Sequence, residues 1–569
     1  MAVERPSDLP SREVLALLKP HRAWAGLALV LLLGFLARVQ GLLDGLWFNE
    51  VFWVRTATAP FRGLLTLCSF THVHPPLYAL VLKAWLASGV QGDLWLRISS
   101  LAFGLGSIAV LYLWATPRFG SFAGLMGSLY LALSTFHAHF SVELGPLSLV
   151  VFLILVMVWM ADRWLDDPTR RWPLGILIVA EVALVLSHPL GPFMVAGVAL
   201  GGFAVHLPGP RHLAAWTVAH GVAVAATSWW LPMALLQQGH LPAPAFREVA
   251  DGVSLASGLA MMGPGAAHPS PTWAWLSGAL SLAGAGLGLL RGLRSPQGSR
   301  ESPESLPRAQ SMLAFSRPIF LALIASLILA IVLPVSQIWF TMVSGPHLDL
   351  LIGALGKSYL VTGLAFAALV GLAMIRQRTV LARRVSLPAL VIAGTLTGLG
   401  LAGNGSPQDA LRDLLPAVAF LGIYLARGIE ARHWTTALVT VLILLALAAP
   451  SILAAPEAFL PRQDLRACAK ALQAKRPGRP AEGTFVIPMW DRGGLEYYLG
   501  DGSATGIMSP ADLPPAQDLP GTVNIVLTRQ ASEAPDLFAR AFTARLGDTH
   551  DLDSTVRYRR VHLLRFSRH

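Results

Sequence analysis

The chain has 569 residues, of which 54% are hydrophobic and only 13% charged, and its mean hydropathy is +0.58. Soluble domains carry about 25% charged residues, so this composition excludes an ordinary soluble protein and points to a polytopic membrane protein. A net charge of +11 would suggest a nucleic-acid partner in a soluble chain. Here the Arg residues sit mostly in short gaps between apolar runs, so membrane topology explains the basicity and no nucleic-acid partner is expected.

Met1–His21 is polar and basic, and the first span is expected at Ala23–Leu43, retained as an anchor. The next stretch, Leu46–Tyr78, reads LWFNEVFWVRTATAPFRGLLTLCSFTHVHPPLY. It sets Asn49, Glu50, His72 and His74 among aromatics beside a membrane helix, which suggests a site at the membrane–water boundary. Ala79–Gly89 is short and holds Lys83, so it reads as a re-entrant or interfacial helix. Further spans are expected at Leu94–Thr116, Phe122–Phe136, Leu147–Ala161, Pro173–Ser187, Pro192–His206, Ala214–Leu231 and Trp273–Leu290. More follow at Ile319–Phe340, Leu360–Met374, Leu387–Leu401, Leu414–Ala426 and Trp434–Leu453, giving about thirteen transmembrane helices.

With the N-terminus cytoplasmic, the inner loops hold about twenty Lys and Arg and the outer loops about seven. That bias places the C-terminus outside. Gly292–Arg317, rich in Ser, Pro and Arg, reads as a cytoplasmic linker. The expected division is a membrane domain over 1–455, with its first outer loop at 44–93, and an extracytoplasmic α/β domain over 456–569. In the latter, Arg462–Lys475, Arg492–Leu499 and Pro535–Arg545 read as helices, and Thr484–Ile487, Thr522–Leu527 and Val556–Phe566 as strands. The fold class is therefore mostly α, with a small C-terminal α/β domain. The two cysteines, Cys68 and Cys468, supply neither a disulfide framework nor a metal set.

On this topology the unusual polar residues collect at the outer face. Asn49, Glu50, His72 and His74 lie in the first outer loop, Glu143 in the second and His188 in the third, and Arg412 opens a late span from the same side. Charged groups near a bilayer are costly and are kept mostly for function. Arg38, inside the first apolar run, either snorkels to the interface or meets a lipid phosphate. His72 and His74 could form a metal pair on a strand, but no third ligand stands at metal spacing. His137 and His139 read as packing at a span end.

The order of these pieces resembles the GT-C type membrane glycosyltransferases, in particular the bacterial relatives of protein O-mannosyltransferases and aminoarabinose transferases. The matching pieces are Leu46-Trp47-Phe48-Asn49-Glu50, His74-Pro75-Pro76-Leu77-Tyr78, Arg97-Ile98-Ser99-Ser100, Glu143-Leu144-Gly145-Pro146, Ser187-His188 and Arg412-Asp413-Leu414-Leu415-Pro416. Asp464-Leu465-Arg466 is similar to the box that opens the family's C-terminal domain. The resemblance implies a polyprenyl-phosphate sugar donor and inverting transfer to an extracytoplasmic lipid, glycan or protein, in a bacterial inner membrane. It implies Glu50 and Glu143 as the catalytic acids, and Arg38, Asn49, His72, His74, His188 and Arg412 as substrate-binding residues. No cofactor is required by it; a divalent metal is compatible with it but not indicated.

Two departures bear on activity. The family's first loop carries Asp before Glu, where this chain has Asn49, and an amide cannot accept a proton. Gly145 and Leu147 stand where the family has Arg and Tyr. Three readings stay open: an active transferase using Glu50 and Glu143, a non-catalytic member that binds lipid-linked glycan or partners an active enzyme, and a lipid-glycan transporter.

Overall fold

A computed structural model of the protein describes residues 20–70, 74–89, 91–204, 210–230, 232–233, 263–264, 276–285, 287, 387–395, 415–429, 439, 441–446, 448–449, 463–474, 483–532 and 534–569. The expected spans at 319–340 and 360–374 lie outside these residues, as do His72, Arg412 and the linker 292–317.

The molecule is mostly helical, with a small C-terminal sheet. Helices among the described residues include α1 (Pro20–Leu36), α2 (Val39–Leu42), α3 (Phe48–Thr58), α4 (Phe61–Phe70), α5 (Leu77–Ala87), α6 (Asp93–Phe119), α7 (Ser121–Leu133), α8 (Thr135–Val142), α9 (Leu147–Asp166), α10 (Trp172–Val185), α11 (Gly191–Ala204), α12 (Pro210–Thr227) and α13 (Leu415–Ile429). Helix α6 packs against α7 and α9, and α13 closes over α7. Among the described residues, α6 and α9 alone are long and apolar enough to cross a membrane; the count of thirteen is not reproduced.

Breaks in the helices have local causes. Gly120 ends α6 and opens α7 at φ +94°, a conformation that side-chain-bearing residues rarely adopt. The expected span Phe122–Phe136 is cut at Ser134, whose hydroxyl accepts the His137 amide and caps α8. The expected span Ala23–Leu43 likewise ends at Leu36, and Arg38 turns inward.

Several helices carry large apolar side chains on their outer surfaces: Leu29, Leu32, Phe35 and Leu36 on α1, Ile176 and Val179 on α10, and Leu213, Val218, Val222 and Val224 on α12. Among the described residues of 463–569, the exposed large hydrophobics are only Met489, Met508 and Leu537.

The C-terminal sheet runs β2-β1-β3-β5-β4, built from β1 (Thr484–Ile487), β2 (Thr505–Gly506), β3 (Thr522–Thr528), β4 (His550–Tyr558) and β5 (Val561–Arg568). The first three strands are parallel, while β5 pairs antiparallel with both β3 and β4. Alternation sorts the two faces. Phe485, Ile487, Ile525, Leu527, Leu564 and Phe566 pack with Phe542 of α16 (Pro535–Leu546). Val486, Val526, Val561 and Leu563 pack with Leu465, Cys468 and Leu472 of α14 (Leu465–Ala474) and Leu495 of α15 (Arg492–Leu499). Both cysteines are buried. The strand expected at Val556–Phe566 is instead a hairpin: the chain turns at Arg559-Arg560, with Arg560 at φ +50°. Strand β4 escaped the sequence because HDLDST offers almost no apolar alternation.

This domain sits directly on the first loop. Arg559 pairs with Asp44 at 3.0 Å and Arg466 with Asp93 at 3.3 Å, and Arg466 also donates to the Leu43 carbonyl at 2.6 Å. Arg55 of α3 pairs with Asp501 at 2.7 Å. The Leu46 amide donates to the Tyr498 hydroxyl oxygen at 2.5 Å, and that hydroxyl donates to Asp93 at 3.0 Å. Burial, followed by the neighbouring Asp93, holds the Tyr498 phenol well above its ordinary value, so it stays a donor.

Candidate functional site

Glu50 stands in the first turn of α3 and is completely buried. Arg97, in the first turn or so of α6, is completely buried as well and holds it with two bonds, Nε to Oε1 at 3.0 Å and a terminal nitrogen to Oε2 at 2.5 Å. The remaining Arg97 donors go to the carbonyls of Gly41, Asp44 and Gly45. Glu50 also accepts the Trp47 amide at 3.1 Å, which caps α3, and the Leu144 amide at 3.0 Å. Each carboxylate oxygen therefore carries two donors. A bidentate Arg–carboxylate pair is geometrically specific, and its role here is to fasten three segments together: 41–50, the start of α6, and the 143–146 turn.

The Leu144 amide is one residue from Glu143. Glu143 ends α8 with extended backbone (ψ 135°), and its carboxylate lies 3.2 Å from His139 Nε2, one helical turn earlier. Both side chains are about 95% buried. Glu50 thus fixes the backbone from which the Glu143 carboxylate projects, and His139 provides that carboxylate with a partner able to hold or take a proton.

An aromatic wall lies beside this turn. Trp53, one turn after Glu50 on α3, meets Tyr78 edge-on with ring centres 5.1 Å apart and His74 at 6.1 Å. A Cβ on Gly145 would lie 3.9 Å from Trp53 Nε1, which puts the 143–146 turn against the same tryptophan. His74 and His188 face each other at 5.1 Å. The two histidine loops are tied by the Leu77 amide donating to the Leu186 carbonyl at 2.9 Å, and the Leu190 amide donates to His188 Nδ1 at 3.2 Å. The latter contact leaves the proton of a neutral His188 on Nε2. Tyr78 is held by Ser100 at 3.0 Å.

The expected site residues therefore divide. Glu50 joins Glu143 through Leu144, and His74 joins His188 through their rings, with Trp53 common to both neighbourhoods. Asn49 is half-buried on α3. Arg38 is buried elsewhere. It donates to the Gly34 carbonyl at 2.6 Å, to the Ala132 carbonyl at 3.0 Å and to His137 Nδ1 at 2.8 Å, so it caps the end of α7. The substrate-binding expectation for Arg38 does not fit a guanidinium spent on backbone carbonyls. The expectation of Glu50 as a base meets the same difficulty, since all its acceptor directions are taken.

Arg97, His139, Trp53 and Tyr498 were not singled out from sequence as site residues. Arg97 entered as the first residue of the Arg97-Ile98-Ser99-Ser100 piece, with no role attached; its signal was an Arg at the mouth of a span, an economical place for a countercharge to a buried acid. His139 sits four residues before Glu143, a spacing that makes helical neighbours.

No family model matches the sequence, and no curated protein matches it. Solved structures similar to this chain include ArnT from Cupriavidus metallidurans in the apo state, 13% identical over 96% of this chain and 98% of that one, with a TM-score of 0.41. The same protein bound to undecaprenyl phosphate gives 13% identity over 95% and 97%, with a TM-score of 0.42. The oligosaccharyltransferase AglB from Archaeoglobus fulgidus, in complex with an inhibitory peptide and a dolichol-phosphate, gives 13% over 93% and 69%, also at 0.42. These identities and scores are low, and the site stands on its own geometry.

Proposed function

We propose that this protein lies in a bacterial inner membrane with its C-terminal domain outside, and transfers a sugar from a polyprenyl-phosphate donor to an acceptor hydroxyl of a lipid, glycan or protein. The observation that carries the reading is the Arg97–Glu50–Leu144 fastening, which presents Glu143 beside His139 on the side of the fold where the charge bias puts the outer loops. The outward apolar faces of α1, α10 and α12, set against the polar surface of 463–569, support membrane burial of the first region and exposure of the second to water.

In this reading Glu143 is the catalytic carboxylate. It takes the acceptor proton as the acceptor oxygen bonds to the sugar's anomeric carbon; the bond from that carbon to the phosphate oxygen breaks, and the lipid phosphate departs with the electron pair. Attack opposite the leaving phosphate inverts the anomeric centre. His74 and His188 donate to the departing phosphate oxygens in this reading, which their adjacent rings support. Glu50 is a positioning residue. Arg412 and His72 remain expected donor contacts.

A second reading, binding of lipid-linked glycan without turnover, is favoured by Asn49 at the family's acidic position and by the full occupancy of Glu50. One experiment separates the two. Reconstituted protein is mixed with radiolabelled polyprenyl-phosphate sugars and donor loss is followed. Consumption by wild type that vanishes in Glu143→Gln supports transfer. Donor that binds and is never consumed, by wild type and variant alike, selects the second reading; Asn49→Asp then tests whether one carboxylate restores turnover.

A further inference from the structure

A pair of ionisable side chains lies away from the site just described. Glu181 belongs to α10 and is completely buried; His220 belongs to α12 and is 8% exposed. His220 Nδ1 lies 2.9 Å from one Glu181 oxygen and 3.0 Å from the other. Among the described residues, His220 Nε2 has no hydrogen-bond partner and is shielded from solvent. The imidazole is held edge-on by Trp216 one turn earlier, at 4.5 Å, and Trp216 stacks on Trp164 of α9 at 5.3 Å.

Glu181 is the tenth residue of the 14-residue α10 and His220 the eleventh of the 18-residue α12, so both sit in helix interiors rather than at ends. At 1.5 Å per residue, Glu181 lies roughly 10 Å before His188 along the same run of chain. Ionisable residues inside a membrane segment are costly, pair with one another and mark proton or ion pathways.

The charge arithmetic is restrictive. With one proton the pair carries a net negative charge; with two it is neutral overall. No Lys or Arg in the described residues faces it. The elements packed on α10 and α12 bring Asp162, Arg163 and Asp166 near the far end of α9, Arg211 and His212 at the start of α12, and His188 beyond the end of α10; α11 brings no charged group. Asp162 is held by Trp114 and Arg118, and Arg163 lies over Trp172 at 5.3 Å. A proton gained or lost by the Glu181–His220 pair as a whole would therefore change the charge inside the helix packing.

We propose that Glu181 and His220 form a proton site buried between α10 and α12, and that its occupancy is coupled through the 181–188 segment to ligand binding at the His74–His188 site. The coupling rests on the reading above; the proton site does not. It gives the chain a proton-linked step that a sugar transfer confined to the outer loops has no use for.

Two measurements test it. The first is infrared difference spectroscopy of the full-length protein in lipid nanodiscs, stepped between pH 5 and pH 9. A carboxylate signal that titrates in wild type and is lost in Glu181→Gln is expected, with a shifted midpoint in His220→Gln and unchanged thermal unfolding of Glu181→Gln. Identical difference spectra for wild type and Glu181→Gln overturn the proton site and leave a structural pair. The second is the affinity for a polyprenyl phosphate over the same range. A change of up to tenfold per pH unit, absent in Glu181→Gln, supports the coupling; equal pH dependence in both proteins overturns it. Failure of the wild type to bind the lipid phosphate overturns the coupling and the lipid-donor reading together, while the infrared result still decides the proton site; loss of binding in Glu181→Gln alone at every pH overturns the coupling only.

Discussion

Removing the charge from Glu50 would leave Arg97 buried with no carboxylate. Deleting one partner of a buried ion pair costs about 3–5 kcal/mol, much of it the penalty on the stranded charge. Glu50→Gln should therefore lower the melting temperature and the activity together, whereas Glu50→Gln with Arg97→Gln should recover part of the stability and none of the activity. Glu143→Gln is isosteric and keeps a contact to His139, so it should abolish turnover with the melting temperature nearly unchanged. Differential scanning fluorimetry beside the donor-consumption assay separates the two carboxylates. A second residue-scale effect belongs to His562, whose imidazole is held below its ordinary value by burial first and Arg557 second. The unfolded chain then binds the proton more readily, so this stability is fully present above about pH 6.5 and is lost as the pH falls through the lower folded-state value. Hydrogen exchange in β5, corrected for intrinsic rate, should quicken between pH 7 and pH 5, and less so in His562→Gln. What sequence could read at this scale was identity and order: Glu50, His74, Glu143 and His188 stood out as polar residues in apolar surroundings. It could not show that Arg97 folds back on Glu50, because a count of charges along the chain carries position and no distance.

At the scale of elements, α8 is what the site depends on. It is eight residues long and carries Glu143 at its end. It stays in place because α6 has Gly104 where the two helices touch: a Cβ there would come within 2.4 Å of Ser141. Gly104→Val should push α8 away, cost about 1–3 kcal/mol, and reduce turnover through the displaced Glu143 more than stability alone explains. Gly104→Ala should show the same ordering at smaller amplitude. The helical elements were mostly readable, since long apolar runs need no knowledge of partners. The break at Ser134 was not, because it depends on an N-cap within an apolar run and on Arg38 arriving from α1's side of the fold. Strand β4 was hidden for the opposite reason: one face is polar and exposed (Asp551, Asp553, Thr555, Arg557), the other is only half-buried, and its pairing with β5 makes it a strand.

At the scale of the molecule, the contacts between the C-terminal domain and the first loop are mostly partly exposed ion pairs, each worth up to about 1 kcal/mol and sensitive to salt. Arg466→Ala with Arg559→Ala should loosen the docking, and limited proteolysis of the 463–474 region should then accelerate, as it should for wild type in about 1 M salt. Conversely, Arg565 holds the Ala471 carbonyl at 2.9 Å within the domain, so the sheet itself should resist the same treatment.

The Leu46 amide and the Tyr498 hydroxyl are 452 residues apart in the chain. A ribosome adds roughly 5–20 residues each second, so the loop that carries Glu50 emerges tens of seconds before the tyrosine that steadies it. Through that interval the nascent chain holds an acid, a guanidinium and several aromatics without their final support. The set first loop would thus be the last feature the protein acquires during its synthesis, and a chain released early, before Tyr498 is added, would carry α1 to α13 with that loop still unset.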